Sequence, residues 1–417
     1  MARVLMLTLV YGPDTVSTAN MMTDIAQGLQ DAGHEVTVLT TVPHYNPSAE
    51  LRADPRFVAS WRRLFTESLE EGVRVLRVFM PRKRHKIWAR GLDYLLFQCL
   101  TSLLGLFFVK RPDVVFVTSP PITLGLSGIM ISRLRGGAFI YDVRELWPDV
   151  PVRMGLFRNV FLVRFVYGLE AFVYRKAAAI STIARSFQDT LAKRGVSRQK
   201  LYFTPNFVDI DFIRPMKKEN NFSCSHGLNS AFVVLYAGNV GLTQGLEILV
   251  DVAAKFKRDD RIQFLVVGDG AGRAGLEREI ARSGLTNFRM LPFQPVSRVN
   301  ELYAAADVCV APLRRGYSYD TVPSKIYTAM AAGRAVVASA EADSETAALL
   351  REAYAGTYVI PESADVLADA IRELRTDPDL AARFGQNGRQ WIVDNYSLET
   401  VVGIYDQMVR HVCDVRQ

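Results

Sequence analysis

Cysteine is scarce and unpatterned. Cys99, Cys224, Cys309 and Cys413 are the only four in 417 residues, and no two of them form a C-x-x-C pair. That excludes a disulfide framework and a zinc ribbon. The five histidines include no H-x-x-x-H, so no dedicated transition-metal site is expected. Glycine (28) and proline (18) stand at ordinary levels, which removes collagen-like and linker-dominated chains. Long apolar runs are also missing. The best candidate, Leu92–Val109, carries Asp93 and Gln98 and is ended by Lys110-Arg111-Pro112. Its helix would reach ~27 Å against a hydrocarbon core of ~30 Å, so it reads as a buried or membrane-grazing helix. Val4–Val10 runs into Tyr11-Gly12-Pro13-Asp14 without a small-residue cleavage pattern, and reads as a first strand rather than a signal peptide.

Apolar residues make up 49% and charged residues 22%, the composition of a folded protein, and the length suits two domains. Charge is unevenly spread. Residues 1–205 hold 27 Lys and Arg against 16 Asp and Glu, while the remainder holds 23 against 27. The two halves therefore face different partners. The densest basic run, Arg82-Lys83-Arg84-His85-Lys86, precedes the apolar stretch at Leu92. Basic residues flanking apolar surface suit an anionic membrane, at ~1 kcal/mol for each cation near the headgroups. No stacking motif interleaves them, so nucleic acid is not an expected partner. The chain is expected to be cytoplasmic and peripherally associated with the inner membrane.

Short β-rich runs alternate with helical periodicity, as in βαβ units on parallel sheets. Strands are expected at Val4–Val10, Glu35–Thr41, Val73–Phe79, Asp113–Ser119 and Ala138–Asp142. Helices are expected at Thr18–Asp31, Ile122–Arg133 and Phe157–Arg175. A second sheet is read at Phe232–Ala237, Ile262–Val267, Phe288–Leu291, Val308–Ala311 and Ala335–Ser339. Thr204–Gly227 reads as a linker, Ala364–Tyr396 as helical, and Leu398–Val412 as a last helix. Two doubly wound parallel-sheet domains facing across a cleft would bind ligands at the carboxyl ends of their strands.

Glycines cluster where such sheets take phosphate. Gly238-Asn239-Val240-Gly241 follows one strand, and Gly268-Asp269-Gly270-Ala271-Gly272-Arg273 follows the next. Each leads into a helix, where backbone amides and the helix dipole favour an anion. Later, Pro323-Ser324-Lys325 opens another helix. Pro323 suits the first turn, whereas Lys325 opposes the dipole there unless an anion binds beside it.

The order of these elements resembles retaining glycosyltransferases of family 4, which have the GT-B architecture of two Rossmann-like domains. The resembling segments are Ala32–Val38, Pro205–Asp209, Tyr236–Gly241, Val267–Gly270, Ala304–Pro312 and Pro323–Tyr327 with Met330–Gly333. Within the family the chain is most similar to bacterial surface-polysaccharide transferases of the fucosamine-transferase and colanic-acid type, which share the Pro-Ser-Lys and a segment like Glu145-Leu146-Trp147-Pro148. The resemblance implies an acceptor-binding domain at 1–205 with a return helix at about 397–417. It implies a nucleotide-sugar domain at 206–396, a UDP-sugar donor, a lipid-linked saccharide acceptor, and no metal or other cofactor. A 2-epimerase of the same architecture acting on UDP-GlcNAc, and a non-catalytic nucleotide-sugar-binding scaffold, are the rival readings.

On that resemblance the donor residues are Gly238, Asn239, Gly241, Gln244, Gly268, Gly270, Arg273, Ser324 and Thr328. Asp320 and Thr328 correspond to the family's paired glutamates, so Thr328 cannot offer ribose a carboxylate. Gln244 stands where a lysine is usual, leaving Lys325 and Arg273 to neutralise the departing diphosphate. Asp320 would orient the donor sugar. Glu145 and Arg144 would work on the acceptor side, with Trp147 and Asp149 beside them and Gly12, Ser17 and Thr18 in the loop after the first strand. Ser17 and Thr18 are expected to cap the next helix. His34 reads as structural.

Overall fold

The computed structural model describes residues 1–14, 16–44, 49–58, 63–80, 87–149, 152, 159–319 and 323–415. The chain divides into two compact units. One is Met1–Pro205 joined by Glu399–Gln417, and the other is Asn206–Leu398.

The first unit is built on a sheet of eight strands: β1 (Arg3–Leu7), β2 (Glu35–Thr41), β3 (Phe65–Glu70), β4 (Val73–Val78), β5 (Val114–Ser119), β6 (Ala138–Val143), β7 (Ala179–Thr182) and β8 (Leu201–Phe203). Their spatial order is β3-β4-β2-β1-β5-β6-β7-β8. All pairs are parallel except β3 with β4. Every residue of β5 and β6 is buried, as expected of parallel strands covered on both faces. The strand β3 escapes sequence reading, because Phe65–Glu70 is mostly polar, with Thr66, Glu67 and Ser68 in succession, and lies at the edge. Its hairpin with β4 closes at Glu71 and Gly72, both at positive φ (48° and 82°), the backbone a two-residue hairpin turn demands.

Helix ends differ from expectation by a few residues. The helices run Leu124–Arg135 and Val160–Lys176, the latter capped by the Asn159 side chain, which accepts from the Phe161 and Leu162 amides. The first helix, Ser17–Asp31, is capped by neither Ser17 nor Thr18. Its N-cap position is Val16, and no side chain accepts there. Of the stretch Leu92–Val109, all but Phe108 and Val109 belongs to the helix Ile87–Phe107. Among the described residues, no helix is long and apolar enough to cross a membrane.

The last helix, Leu398–Asp414, docks on this first unit. It buries Val401, Val402, Tyr405, Met408, Val409 and Val412, at about 1.5–3 kcal/mol for each large apolar side chain. A Cβ at Gly28 would lie 2.6 Å from Val402 Cγ1, so glycine lets the Ser17–Asp31 helix approach this closely. The Tyr405 ring meets Phe116 edge-on, and its hydroxyl donates to Asp142 at 3.2 Å. His34 accepts from the Ala2 amide at Nδ1, so Nε2 carries the proton that it donates to Asp406 at 2.7 Å.

The second unit holds a wholly parallel sheet: β9 (Phe232–Ala237), β10 (Ile262–Val267), β11 (Phe288–Leu291), β12 (Val308–Ala311), β13 (Ala335–Ser339) and β14 (Gly356–Val359), ordered β11-β10-β9-β12-β13-β14. Tyr236, Leu246, Phe264, Val310, Val337 and Ile371 contribute to its core. The stretch read as helical from Ala364 splits into Ala364–Thr376 and Pro378–Asn395. Asp377 makes the break by capping the Leu380 amide at 2.9 Å, with Pro378 opening the next turn. The stretch read as a linker, Thr204–Gly227, contains a short helix, Asn221–Ser225, and a bridge from Val208 to Ser397.

Candidate active site

In the second unit the strand order reverses between β9 and β12, which creates a crevice at their carboxyl ends. The loop after β9 and the segment after β12 both emerge there. Gly238, Gly268 and Gly270 have φ of 143°, 156° and 155°. A Cβ at Gly268 would meet the Gly238 carbonyl at 1.8 Å, and one at Gly270 would meet the Val240 carbonyl at 2.4 Å. Glycine is therefore required for the loops after β9 and β10 to lie backbone against backbone. Hydrogen bonds from Gly238 N to Val267 O, Val240 N to Asp269 O and Gly272 N to Val240 O fix them there, at 2.8–2.9 Å. Asn239 is exposed at the tip, and its carbonyl accepts from the Tyr236 hydroxyl at 2.6 Å.

The helix Ser324–Ala331 brings Lys325 to this surface. Its Nζ lies 4.9 Å from the centre of the Tyr236 ring, and a Cβ on Gly238 would touch Lys325 Cε at 3.0 Å. Among the described residues, no carboxylate pairs with Lys325. Burial pushes the ammonium down to about 8. Lys325 is half-buried in the first turn of its helix, against a glycine loop, a setting in which backbone amides and the helix dipole favour an anion. Ser324 is half-buried beside it. Thr328 lies one turn on, its hydroxyl 3.5 Å from the Ser324 carbonyl. Asp320 falls outside the described residues.

Two donor-loop side chains have distinct surroundings. Arg273 donates to the Gly268 carbonyl at 2.6 Å and to Glu277 at 2.8 Å. It is a clamp on the loop, and its charge is already partly met. Gln244 fills the space over Gly241, and its Oε1 is buried with no hydrogen-bond partner among the described residues. Such an acceptor favours a ligand N–H or O–H. Glu341, which sequence reasoning passed over, holds the segment after β12 by accepting from the Gly316 amide at 2.5 Å and from the Ser318 hydroxyl. Nothing local in the sequence marks it, because its partners lie more than twenty residues away.

In the first unit, the expected acceptor residues separate. Arg144 is buried, with Nη1 3.5 Å from both Asp142 and the Tyr405 hydroxyl and Nη2 against Met21 Sδ. It ties the last helix to the sheet, which corrects its assignment to the acceptor. Asp149 is likewise committed, accepting from Tyr167 and Arg194 at 2.5 Å each. Arg194 also grips buried Glu170 through both carboxylate oxygens at 2.9 Å. Glu145 and Trp147 are half-buried on the segment that this network anchors. The Gly12 amide donates to Thr23 Oγ1 at 3.0 Å, and its carbonyl accepts from Arg77 at 2.6 Å. Arg77 is itself buried and doubly paired with Glu70. Ser17 is exposed and Thr18 half-buried at the head of the first helix.

Two doubly wound units, one carrying a two-loop glycine cradle and a lysine with no carboxylate partner among the described residues, have the architecture of a GT-B glycosyltransferase. Residues 18–206 match the family described as glycosyl transferase 4-like domain, and residues 219–391 match the glycosyl transferases group 1. The chain belongs to the family 4 glycosyltransferases. It is 24% identical over 384 residues to a protein of Escherichia coli (strain K12) assigned to colanic acid biosynthesis as the glycosyl transferase WcaI, covering 89% of this chain and 91% of that one. In fold it is similar to the sucrose-phosphate synthase of Thermosynechococcus elongatus, with a TM-score of 0.75, 18% identity and all of both chains covered. It is also similar to Anabaena Alr3699/HepE in complex with UDP and glucose, with a TM-score of 0.74, 16% identity, and 99% of this chain and 100% of that one covered.

Proposed function

We propose that this glycosyltransferase moves a sugar from a UDP-sugar to a lipid-linked saccharide acceptor during bacterial surface-polysaccharide synthesis, with retention and without a metal ion. The observation that carries the donor half is Lys325, half-buried against Gly238 with no carboxylate partner among the described residues. A nucleoside diphosphate supplies the missing charge, and the helix N-terminus and loop amides add to it. In the reaction the bond between the anomeric carbon and the diphosphate oxygen breaks. The acceptor oxygen bonds to that carbon on the same face, and the hydroxyl proton passes to the departing diphosphate. Lys325 stabilises the charge gathering on that leaving group. Asp320 is assigned to orient the donor sugar, and Glu145 to the acceptor. The relative's colanic-acid assignment and the neighbour's UDP complex point the same way.

The lipid half rests on the outer faces of two helices. Leu92, Leu95, Leu103 and Phe107 are exposed along Ile87–Phe107, and Phe161 and Phe165 are exposed along Val160–Lys176. Both helices pack against Leu124–Arg135 on one side of the sheet. Arg133, Arg164, Arg175 and Lys176 lie on the latter two helices, and Arg164, Arg175 and Lys176 are exposed. Apolar side chains with cations among them suit an anionic bilayer surface, to which the enzyme would attach peripherally from the cytoplasm.

Incubation with radiolabelled nucleotide sugars and a bacterial membrane extract tests the reading. Label is expected in the lipid fraction from a UDP-sugar. An interconverted soluble sugar, or no chemistry with intact UDP binding, would replace it with the epimerase or scaffold reading.

A further inference from the structure

One carboxylate in the first unit is surplus to the ion pair it joins. Arg194 Nη1 lies 2.9 Å from both oxygens of buried Glu170, which also accepts from Tyr174 on its own helix at 2.9 Å. That gives the guanidinium a counter-ion and the buried carboxylate its donors. Nη2 of the same arginine nevertheless takes a second carboxylate, Asp149, whose other oxygen accepts from the Tyr167 hydroxyl, at 2.5 Å each. Two carboxylates thus share one cation. Burial pushes Glu170 up to about 7, Arg194 and Tyr174 pull it back, and the nearby Asp149 charge adds to the rise. A second acid this close to Glu170 opposes its ionisation, so the network gains little stability from Asp149.

What Asp149 does hold is the segment that leaves β6 at the carboxyl end of the sheet, the end at which doubly wound sheets take ligands. That segment is pinned twice. Arg144 fixes its start, buried against Asp142, Tyr405 and Met21. Asp149 fixes its end, to the helix Val160–Lys176 through Tyr167 and to Arg194 at the close of the helix Arg185–Lys193. Four residues lie between the pins, and they alternate: Leu146 and Pro148 are buried, whereas Glu145 and Trp147 are half-buried.

We propose that Asp149 is a positioning residue for the acceptor, holding Glu145 and Trp147 in place through its bonds to Tyr167 and Arg194. This rests on reading the Glu145 segment as the acceptor side. Releasing one end of so short a strap displaces the side chains it presents, and a misplacement of about 1 Å can cost roughly a hundredfold in rate.

The test compares two substitutions. Asp149→Ala removes the anchor and leaves the Arg194–Glu170 pair intact. Asp149→Asn keeps the anchor without the charge, its amide oxygen accepting from Arg194 and its amide nitrogen donating to the Tyr167 oxygen. With a UDP-sugar and lipid extract, Asp149→Ala is expected to lower kcat about ten- to a hundredfold, with the donor KM and UDP affinity within about twofold of native. Asp149→Asn should recover most of that loss, and both variants should melt within about 3 °C of the native protein. Hydrogen exchange supplies a readout independent of transfer: a peptide spanning residues 145–149 should exchange faster in Asp149→Ala and stay slow in Asp149→Asn. Unchanged kcat or unchanged exchange in a folded Asp149→Ala protein overturns the proposal. So does an equal loss in Asp149→Asn, which would make the charge the agent, or a larger fall in melting temperature, which would make Asp149 part of the fold. Absence of label in lipid from every nucleotide sugar overturns the acceptor reading instead, and the exchange of residues 145–149 still decides whether Asp149 holds the segment.

Discussion

The two sheets end in opposite electrostatic states. At the carboxyl ends of the first sheet, the buried charges are committed: Arg77 to Glu70, Arg144 to Asp142, and Arg194 to Glu170 and Asp149. At the matching end of the second sheet, Lys325 pairs with no described carboxylate, and its ammonium is held down to about 8 by burial alone. A buried charge that already has its partner is architecture, while one waiting for a partner marks a ligand. The difference also explains why cationic residues that look alike in sequence, Arg144 and Lys325, part company in the fold.

Substitutions can break this contrast in order of size. Gly268→Ala should do the most damage to the donor side. Its methyl group would overlap the Gly238 carbonyl, and prising the two loops apart should weaken UDP binding by about a hundredfold or more, roughly 3 kcal/mol. Calorimetric titration checks this, with circular dichroism confirming that the unit still folds. Arg77→Met strands Glu70 half-buried without its cation, and should cost about 3 kcal/mol of stability in denaturant unfolding. The same variant should leave UDP affinity within twofold, because the charge belongs to the first unit's own framework. At the small end, Asn159→Ala should cost about 1 kcal/mol by removing a cap that two amides use, whereas Ser17→Ala should cost less than about 0.5 kcal/mol because Ser17 caps nothing. Matched thermal unfolding curves distinguish the two.

Legibility followed burial. β9, β10, β12 and β13 were readable to the residue, because strands covered on both faces are nearly continuous apolar runs bounded by turn residues, and the edge strand β11 was read to the same bounds. β7, β8 and β14 were passed over, and β3 is mostly polar, with Thr66, Glu67 and Ser68 in succession at a sheet edge. The glycine loops and Lys325 were legible because close backbone approach and a misplaced first-turn cation leave local marks. Pairings across the fold leave none. Arg144 meets Tyr405 across 261 residues, Glu341 reaches back 25 to Gly316, and Asp149 meets Arg194 across 45, so each needed the tertiary structure. Capping at Ser17 failed for a related reason: the helix begins one residue earlier than the hydroxyls could serve it.

The central claim is that Lys325 waits for a pyrophosphate. A bound diphosphate should lift its pKa back toward the usual lysine range, so binding near pH 8 takes up a proton, and affinity falls as pH rises from 7 to 9. UDP is fully ionised there and contributes no proton of its own. Calorimetry of UDP binding at pH 8, repeated in buffers of different ionisation enthalpy, measures this directly. The account predicts uptake of about half a proton by the native protein, with no uptake and at least tenfold weaker binding for Lys325→Ala. Equal affinity and equal proton uptake in the two proteins would contradict it.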